Sequence, residues 1–229
     1  MMDLKETLIT KAKDWGANLC GVADLTPHVE AIGRLYGADF GQYPRAFSFA
    51  VFLPSPVVAE LLASPSHTYL AYYDIANGLI NQIGLRLNNF LVQEGYKAYP
   101  IPASQRAGET KEGSIFSHRM AAALAGLGWI GKSCSLINPE VGPRLRLGTV
   151  LTDAALVADK PMANQCGDCT ACTDICPAGA ILGNSFQPRQ DLAERFDFHR
   201  CDDYLTEVRQ TFGKRICGKC VAVCPQGRK

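Results

Sequence analysis

Ten cysteines punctuate this 229-residue chain, and eight of them follow residue 165. The densest run is Cys166 to Pro177, CGDCTACTDICP, in which four cysteines stand at spacings of two, two and three intervening residues with a proline behind the last. Thiolates at these intervals wrap a [4Fe-4S] cluster with the first three sulfurs and send the fourth to a second cluster. The complement lies downstream at Cys217, Cys220 and Cys224, followed by Pro225. A symmetrical arrangement would place one more cysteine where Lys214 stands, and Cys201 is the residue left to supply it. The return from Cys201 passes through fifteen residues, a loop whose closure is cheap in entropy. The spacing therefore assigns one cluster to Cys166, Cys169, Cys172 and Cys224, and a second to Cys176, Cys201, Cys217 and Cys220.

Other uses of cysteine fit less well. Zinc sites pair CxxC units around a tetrahedral ion, and a triple cysteine run ending in CP is not such a pairing. Disulfides require an oxidising compartment, whereas the N-terminus MMDLKETLITKAKDWG is charged and amphipathic with no apolar signal core. Cys20 and Cys134 stand apart in apolar surroundings and read as buried, inert thiols. A formal net charge of +1 creates no field for a polyanion, so nucleic acid is not an expected partner. The longest apolar stretch, Ala46 to Ala63, is broken by Pro54 and Pro56 and does not read as a membrane span. A cytoplasmic location is expected, with one domain over 1–158 and a cluster domain over 159–229.

The elements that must position this chemistry follow from periodicity. Asp3 and Glu6 have capping-box spacing ahead of a stripe through Leu4, Leu8, Ile9, Ala12 and Trp15, which predicts a helix ending at Gly16. Asn18 to Ala23 reads as a short strand, His28 to Tyr36 as a helix, and the apolar run Ala46 to Leu53 as a strand buried on both faces. Tyr69 to Glu94 is a long helix whose apolar stripe includes Tyr72, Ile75, Ala76, Ile80, Ile83, Leu87 and Leu91, with Gly95 closing it. Lys97 to Ile101 is a further strand, and the polar loop Pro102 to Gly113 has the length of a lid or substrate loop. Ser114 and Ser117 precede a small-residue helix, His118 to Ala125, that runs into GLGWIGK. Gly126, Gly128 and Gly131 match a dinucleotide fingerprint formally, but a helix precedes them and the extended Ser133 to Ile137 follows, the reverse of the required order. These glycines instead suit a close approach to a flat cofactor or to another helix. Arg144 to Thr152 alternates as a strand, Pro177 to Leu182 is expected as a short helix, and Phe186 to Gly213 is the insert that carries Cys201.

The segments SHRMAAALAGLGWIGK, PEVGPRLRLGTVLTD, CGDCTACTDICPAGAI and CGKCVAVCP together resemble epoxyqueuosine reductase, and AGLG with GPRLRLGTVLTD also resembles the core of reductive dehalogenases. The resemblance covers Ile115 to the C-terminus. It implies an α+β architecture, in which a nitroreductase-like domain holding a base-off corrinoid is followed by a small ferredoxin-like domain with two [4Fe-4S] clusters. Two departures accompany it. The stretch that should carry the family's catalytic aspartate, Tyr99 to Ser104, contains no acid, and the family's C-terminal helical-repeat tail has no counterpart. Glu109 and Glu112, in the loop beyond, are the acids that could substitute.

By the same resemblance, cobalamin would meet Gly126, Leu127, Gly128, Trp129, Gly131, Lys132 and the strand from Leu147 to Asp153. Trp129 reads equally as a core aromatic, and Lys132 as a solvated lysine. His118 is either a helix-capping histidine or a proton donor. The expected function is a two-cluster relay to a bound cobalamin that reduces a small molecule or modified nucleoside, fed by a ferredoxin or flavodoxin. The alternative is an electron-transfer module that reduces the corrinoid or other cofactor of a partner protein and has no substrate of its own. A flavin in the nitroreductase-like domain is the third reading.

Overall fold

A computed structural model describes residues 3–104, 106–107, 113–187 and 190–227. The architecture is mixed α/β, and the chain divides into two compact units that alternate along the sequence. The first comprises Met1–Val51, Ile75–Gly128 and Arg146–Met162, and the second Phe52–Asp74, Trp129–Leu145 and Ala163–Lys229. Two short stretches upstream of Ala163 therefore group with the cysteine-rich region.

The first unit is built on a four-stranded sheet. Its strands are β1 (Leu19–Asp24), β2 (Arg45–Phe52), β3 (Ala98–Ile101) and β8 (Leu145–Thr152), in the order β1-β2-β8-β3. β1 and β2 pair antiparallel with Leu19 opposite Ala50, and β3 and β8 pair antiparallel with Ala98 opposite Thr152. The apolar run read as a doubly buried strand is one: Ala46, Phe47, Ser48, Phe49 and Ala50 of β2 are all fully buried. Gly148 of β8 makes room for this strand, since a Cβ there would stand 2.3 Å from the Phe49 ring.

Helix α1 (Leu4–Asp14) buries Leu8 and Ala12, the inner half of its predicted stripe. The expected capping box does not form: the Asp3 side chain makes no capping hydrogen bond, while its main-chain carbonyl takes the first intrahelical bond from Thr7 N. Helix α2 (Val29–Tyr36) follows a 3-10 turn, and α3 (Ser55–Ala59) precedes the long α4 (His67–Gln93). Along α4 the residues Ala76, Ile80, Ile83, Leu87 and Leu91 are buried at steps of three and four, but Tyr72 and Ile75, assigned to the same stripe, are exposed. Tyr72 and Ile75 lie beyond the edge of the face that meets the core, which covers only the narrower row. Between β3 and the next helix lie the two-residue strands β4 (Arg106–Ala107) and β5 (Gly113–Ser114). The Ser117 hydroxyl caps α5 (His118–Leu124) by accepting from Met120 N at 3.2 Å.

In the second unit β6 (Trp129–Ile130) and β7 (Leu136–Ile137) form a small antiparallel ribbon. Only Leu136 and Ile137 of the expected extended stretch are strand, because the chain turns between, with Cys134 at a φ of 58°. Helices α6 (Ala171–Asp174), α7 (Phe198–Phe212) and α8 (Lys219–Val223) complete this unit. The short helix expected over Pro177 to Leu182 is absent. Gly179 adopts φ 57°, and the segment is drawn out as an extended edge, with Ile181 bridged to Phe196 and Leu182 N donating to Arg195 O at 3.0 Å. No helix among the described residues is long and apolar enough to cross a membrane.

The contact between Gly148 and Phe49 yields a direct test. Gly148→Ala should destabilise the chain by about 1–3 kcal/mol through overpacking, read as a lower urea midpoint. An unchanged midpoint would show that the Phe49 ring can move aside.

Candidate iron-sulfur site

The second unit gathers the cysteines on two short helices and the turns that lead into them. Cys166 and Cys169 precede α6, Cys172 lies in it and Cys176 follows it, while Cys217 precedes α8, Cys220 lies in it and Cys224 is its C-terminal cap. Cys201 is on α7, whose N-terminus is fixed by the Asp197 carboxylate accepting from Arg200 N at 3.0 Å. A recess opens among Cys166, Cys169, Cys172, Cys220 and Cys224, with Lys132 on its wall.

The thiols lie close enough to act on one another. Burial pushes the Cys172 thiol above its ordinary value, and Cys166, Cys224 and Cys169 add to the shift. Burial likewise pushes Cys220 up to about 12, with Cys217, Cys176, Cys201 and Cys172 as the contributing thiols. Cys217 and Cys224 are raised chiefly by burial as well. Thiols held in this way stay protonated near neutrality until a metal centre displaces the protons, which couples loading to proton release. Among the described residues, no three or more His, Cys, Asp or Glu side chains are grouped to hold a metal ion. The donor chemistry nonetheless fits iron-sulfur clusters: eight cysteines, seven half-buried and Cys169 exposed, five of which line an apolar-walled recess.

Three residues from outside the cysteine motifs hold this site. Trp129 is 2% exposed, and its indole Nε1–H donates to Cys166 Sγ at 3.4 Å. Lys132, 8% exposed, donates from Nζ to the Cys169 carbonyl at 3.1 Å. Arg144, 4% exposed, donates to the carbonyls of Cys224 at 2.7 Å and Gln226 at 2.8 Å. Gly142 allows that clamp, because a Cβ there would stand 2.2 Å from Gln226 O. Arg144 was read only as the first residue of a strand, and no local sequence pattern distinguishes it from the other arginines.

The expected cofactor contacts are distributed over both units. Trp129, Gly131 and Lys132 lie beside the cysteines, and a Cβ on Gly131 would stand 2.6 Å from the Ile137 side chain and 3.3 Å from Cys166 Sγ. Gly126, Leu127, Gly128, Leu147 and Asp153 belong to the first unit. Gly126, at φ 71°, faces the chain itself, since a Cβ would meet Lys160 O at 2.6 Å. Leu127 is buried, Leu147 half-buried, and Asp153 is exposed with its carboxylate accepting from Lys97 N at 2.8 Å. Gly128 has a φ of 157°, which is extended backbone.

Of the expected catalytic residues, Glu109 and Glu112 lie outside the described residues. His118 is placed in the first unit with both ring nitrogens engaged: Nε2 is 3.2 Å from the Pro102 carbonyl and Nδ1 is 2.8 Å from the Thr149 hydroxyl. A carbonyl only accepts, so Nε2 carries the proton and Nδ1 accepts from Thr149. Burial holds the ring at about 4, against the opposing Pro102 carbonyl and with help from Arg146 and Arg119. The imidazole is therefore neutral at pH 7 and ties the loop after β3 to β8. Cys134 is buried and accepts from the buried Arg195 guanidinium at 3.4 Å, and the Cys20 thiol is raised to about 12 by burial.

Comparison with known proteins bears on the same residues. Residues 165–227 match the family model described as a 4Fe-4S double cluster binding domain. This region is an iron-sulfur domain. The chain is similar to epoxyqueuosine reductase from Bacillus cereus, 29% identical over 256 residues that cover 98% of this chain and 65% of that protein. It is likewise similar to the Bacillus anthracis enzyme, 34% identical over the same coverage, and to that of Pseudomonas aeruginosa, 32% identical over 77% of this chain and 49% of that protein. The chain thus spans 65% of the length of the two Bacillus relatives.

Solved structures share the fold. A crystal structure of epoxyqueuosine reductase with an epoxyqueuosine-modified tRNA stem loop superposes with a TM-score of 0.65 at 22% identity, over 98% of this chain and 65% of that one. A catabolic reductive dehalogenase in complex with 3-bromo-4-hydroxybenzoic acid gives a TM-score of 0.72 at 20% identity, over 98% of this chain and 32% of that one. The domain and the homology together support an iron-sulfur redox function.

The His118 geometry makes a pH prediction. A base whose pKa falls from the ordinary 6.5 to about 4 on folding stabilises the protein above pH 6.5 and loses that stability as pH drops towards 4. His118→Gln should therefore show a shallower fall of the urea midpoint between pH 6.5 and 4 than the parent. Parallel slopes would mean that the ring titrates normally.

Proposed function

We propose that the chain is a two-cluster electron relay. Cys166, Cys169, Cys172 and Cys224 hold one [4Fe-4S] cluster, and Cys176, Cys201, Cys217 and Cys220 hold the other. The observation that carries this reading is the gathering of the motif cysteines on α6, α8 and the turns beside them, within the residues that match a 4Fe-4S double cluster binding domain. When bound, the clusters supply one-electron chemistry. The chain's own residues do the rest. Arg144 fixes the carbonyls of Cys224 and Gln226, Lys132 fixes the Cys169 carbonyl, and Trp129 orients the Cys166 sulfur. The apolar wall of the recess limits water around the thiolates. A reduced ferredoxin or flavodoxin is the donor in this reading.

Two acceptors are consistent with such a relay. In the first, the nitroreductase-like first unit binds cobalamin, and a small molecule or modified nucleoside is reduced there. The support is the fold shared with a reductive dehalogenase for which a B12-dependent mechanism has been suggested. The residues expected to cradle the corrinoid do not fit that task as placed, because Gly126 faces Lys160 O and Gly131 faces Ile137. Trp129 and Lys132 are bonded to the cysteine segment. We therefore favour the second acceptor, a corrinoid or other cofactor on a partner protein.

Anaerobic purification with iron and sulfide analysis tests the relay. About eight irons per chain are expected, falling to about four in Cys220→Ser. About four irons in the parent would sink the two-cluster assignment. An absorbance titration with hydroxocobalamin then separates the acceptors: no spectral change is expected, and a saturable base-off spectrum would reverse the preference in favour of a corrinoid bound by this chain.

A further inference from the structure

Resting on the two-cluster reading, we infer that Thr173 tunes a cluster. Its hydroxyl donates to the Cys172 sulfur when that sulfur ligates iron, and so raises the potential of the cluster held by Cys166, Cys169, Cys172 and Cys224. The motif spacing assigns position 173 no role, since it is a spacer between two cysteines. The structure leaves it with an unspent polar atom. Thr173 Oγ1 is buried and has no hydrogen-bond partner among the described residues. Burying a hydroxyl in that condition is costly, so a partner is called for.

The usual outlets are taken. A threonine in a helix ordinarily bonds the carbonyl three or four residues back. Four back, the Cys169 carbonyl accepts from Lys132 Nζ at 3.1 Å; three back, the Thr170 carbonyl accepts from the amides of Thr173 at 2.8 Å and Asp174 at 3.0 Å. The Thr170 hydroxyl is committed too, donating to the Asp174 carboxylate at 2.7 Å. Gly183 packs against the Thr173 hydroxyl, since a Cβ there would stand 3.6 Å from Oγ1. The acceptor that remains is sulfur. Burial raises the Cys172 thiol, and the Thr173 hydroxyl opposes that rise as a donor. A neutral thiol is too weak an acceptor to fix the hydroxyl in a full hydrogen bond, whereas an iron-bound thiolate carries charge and draws it in.

The sign follows from charge. Reduction moves one electron from the outside reductant into the cluster, with no bond formed or broken, and part of the added negative charge falls on the ligand sulfurs. A donor to one of those sulfurs stabilises the reduced state more than the oxidised one and raises the potential. Asp168 and Asp174, on the same segment, act in the opposite sense. They are common to the parent and to a variant at position 173, so they cancel in the comparison.

The test is a dithionite titration of the full chain followed by EPR, with iron counted in every sample. Thr173→Val keeps the shape and removes the hydroxyl, while Thr173→Ser keeps the hydroxyl. In Thr173→Val one of the two midpoint potentials should fall while the other stays. At the parent midpoint, the reduced-to-oxidised ratio of that cluster should drop about fivefold, as loss of one hydrogen bond implies. Thr173→Ser should stay at the parent value. Thr173→Val added to Cys220→Ser, where about four irons are expected to remain in the first cluster, should show the same fall. With about eight irons bound, the inference is overturned and the relay reading stands if Thr173→Val leaves both potentials in place, moves them together or is matched by Thr173→Ser. Loss of the fall in the Cys220→Ser background overturns it as well. If the parent itself holds about four irons, the relay reading fails, and the Val and Ser variants decide the inference on the single cluster. Should Thr173→Val lose iron, Thr173→Ala decides by the same criteria.

Discussion

Thiols brought close together repel one another as soon as they ionise, and the second unit is organised around that constraint. Between Cys166 and Cys224 the chain carries eight of them, several buried enough that their protons are held well above the ordinary thiol range. Such a set is stable either as neutral thiols or around a metal centre that takes up the negative charge, and it is poor as bare thiolates. The short helices α6 and α8 are too brief to hold themselves together by propensity. Their geometry depends on the turns between the cysteines and on side chains that reach in from elsewhere.

Those side chains come from Trp129 to Arg144, a stretch with no cysteine motif of its own. The β6 and β7 ribbon places Trp129 and Lys132 against the Cys166 to Cys169 turn, and the Asn138 to Arg144 turn closes over Cys224 to Gln226. Hydrogen bonds from buried cations to carbonyls are strong because the donors are charged and the setting is poor in water.

The first unit solves a different problem. Its sheet buries β2 on both faces and is tied at its edges by polar side chains: Asp159 accepts from Lys5 and from Val22 N, and Arg45 donates to Asp24 and to the Leu156 carbonyl. His118 belongs to this set of fasteners, since both its nitrogens are used within the unit. Its glycines serve packing too. Gly21 lies where a Cβ would come within 2.4 Å of Ala125 O, which lets the end of α5 approach β1.

The cysteine spacing by itself determined the chemistry, because cluster ligation is a local pattern of sulfurs and intervals and matches a double-cluster family over residues 165–227. The sequence also settled the long helix and the doubly buried strand, where the apolar pattern extends over many residues, whereas the choice of Ser117 over Ser114 as the cap came from the structure. Only the tertiary structure decided what the non-cysteine residues do. Trp129 and Lys132 look alike in sequence whether they meet a corrinoid, solvent or a cysteine turn, and the choice depends on which segments fold against them. Arg144 was invisible for the same reason: its partners are main-chain carbonyls some eighty residues away. The extended course of Pro177 to Leu182 was likewise set by pairing with Arg195 and Phe196, contacts that no local window contains.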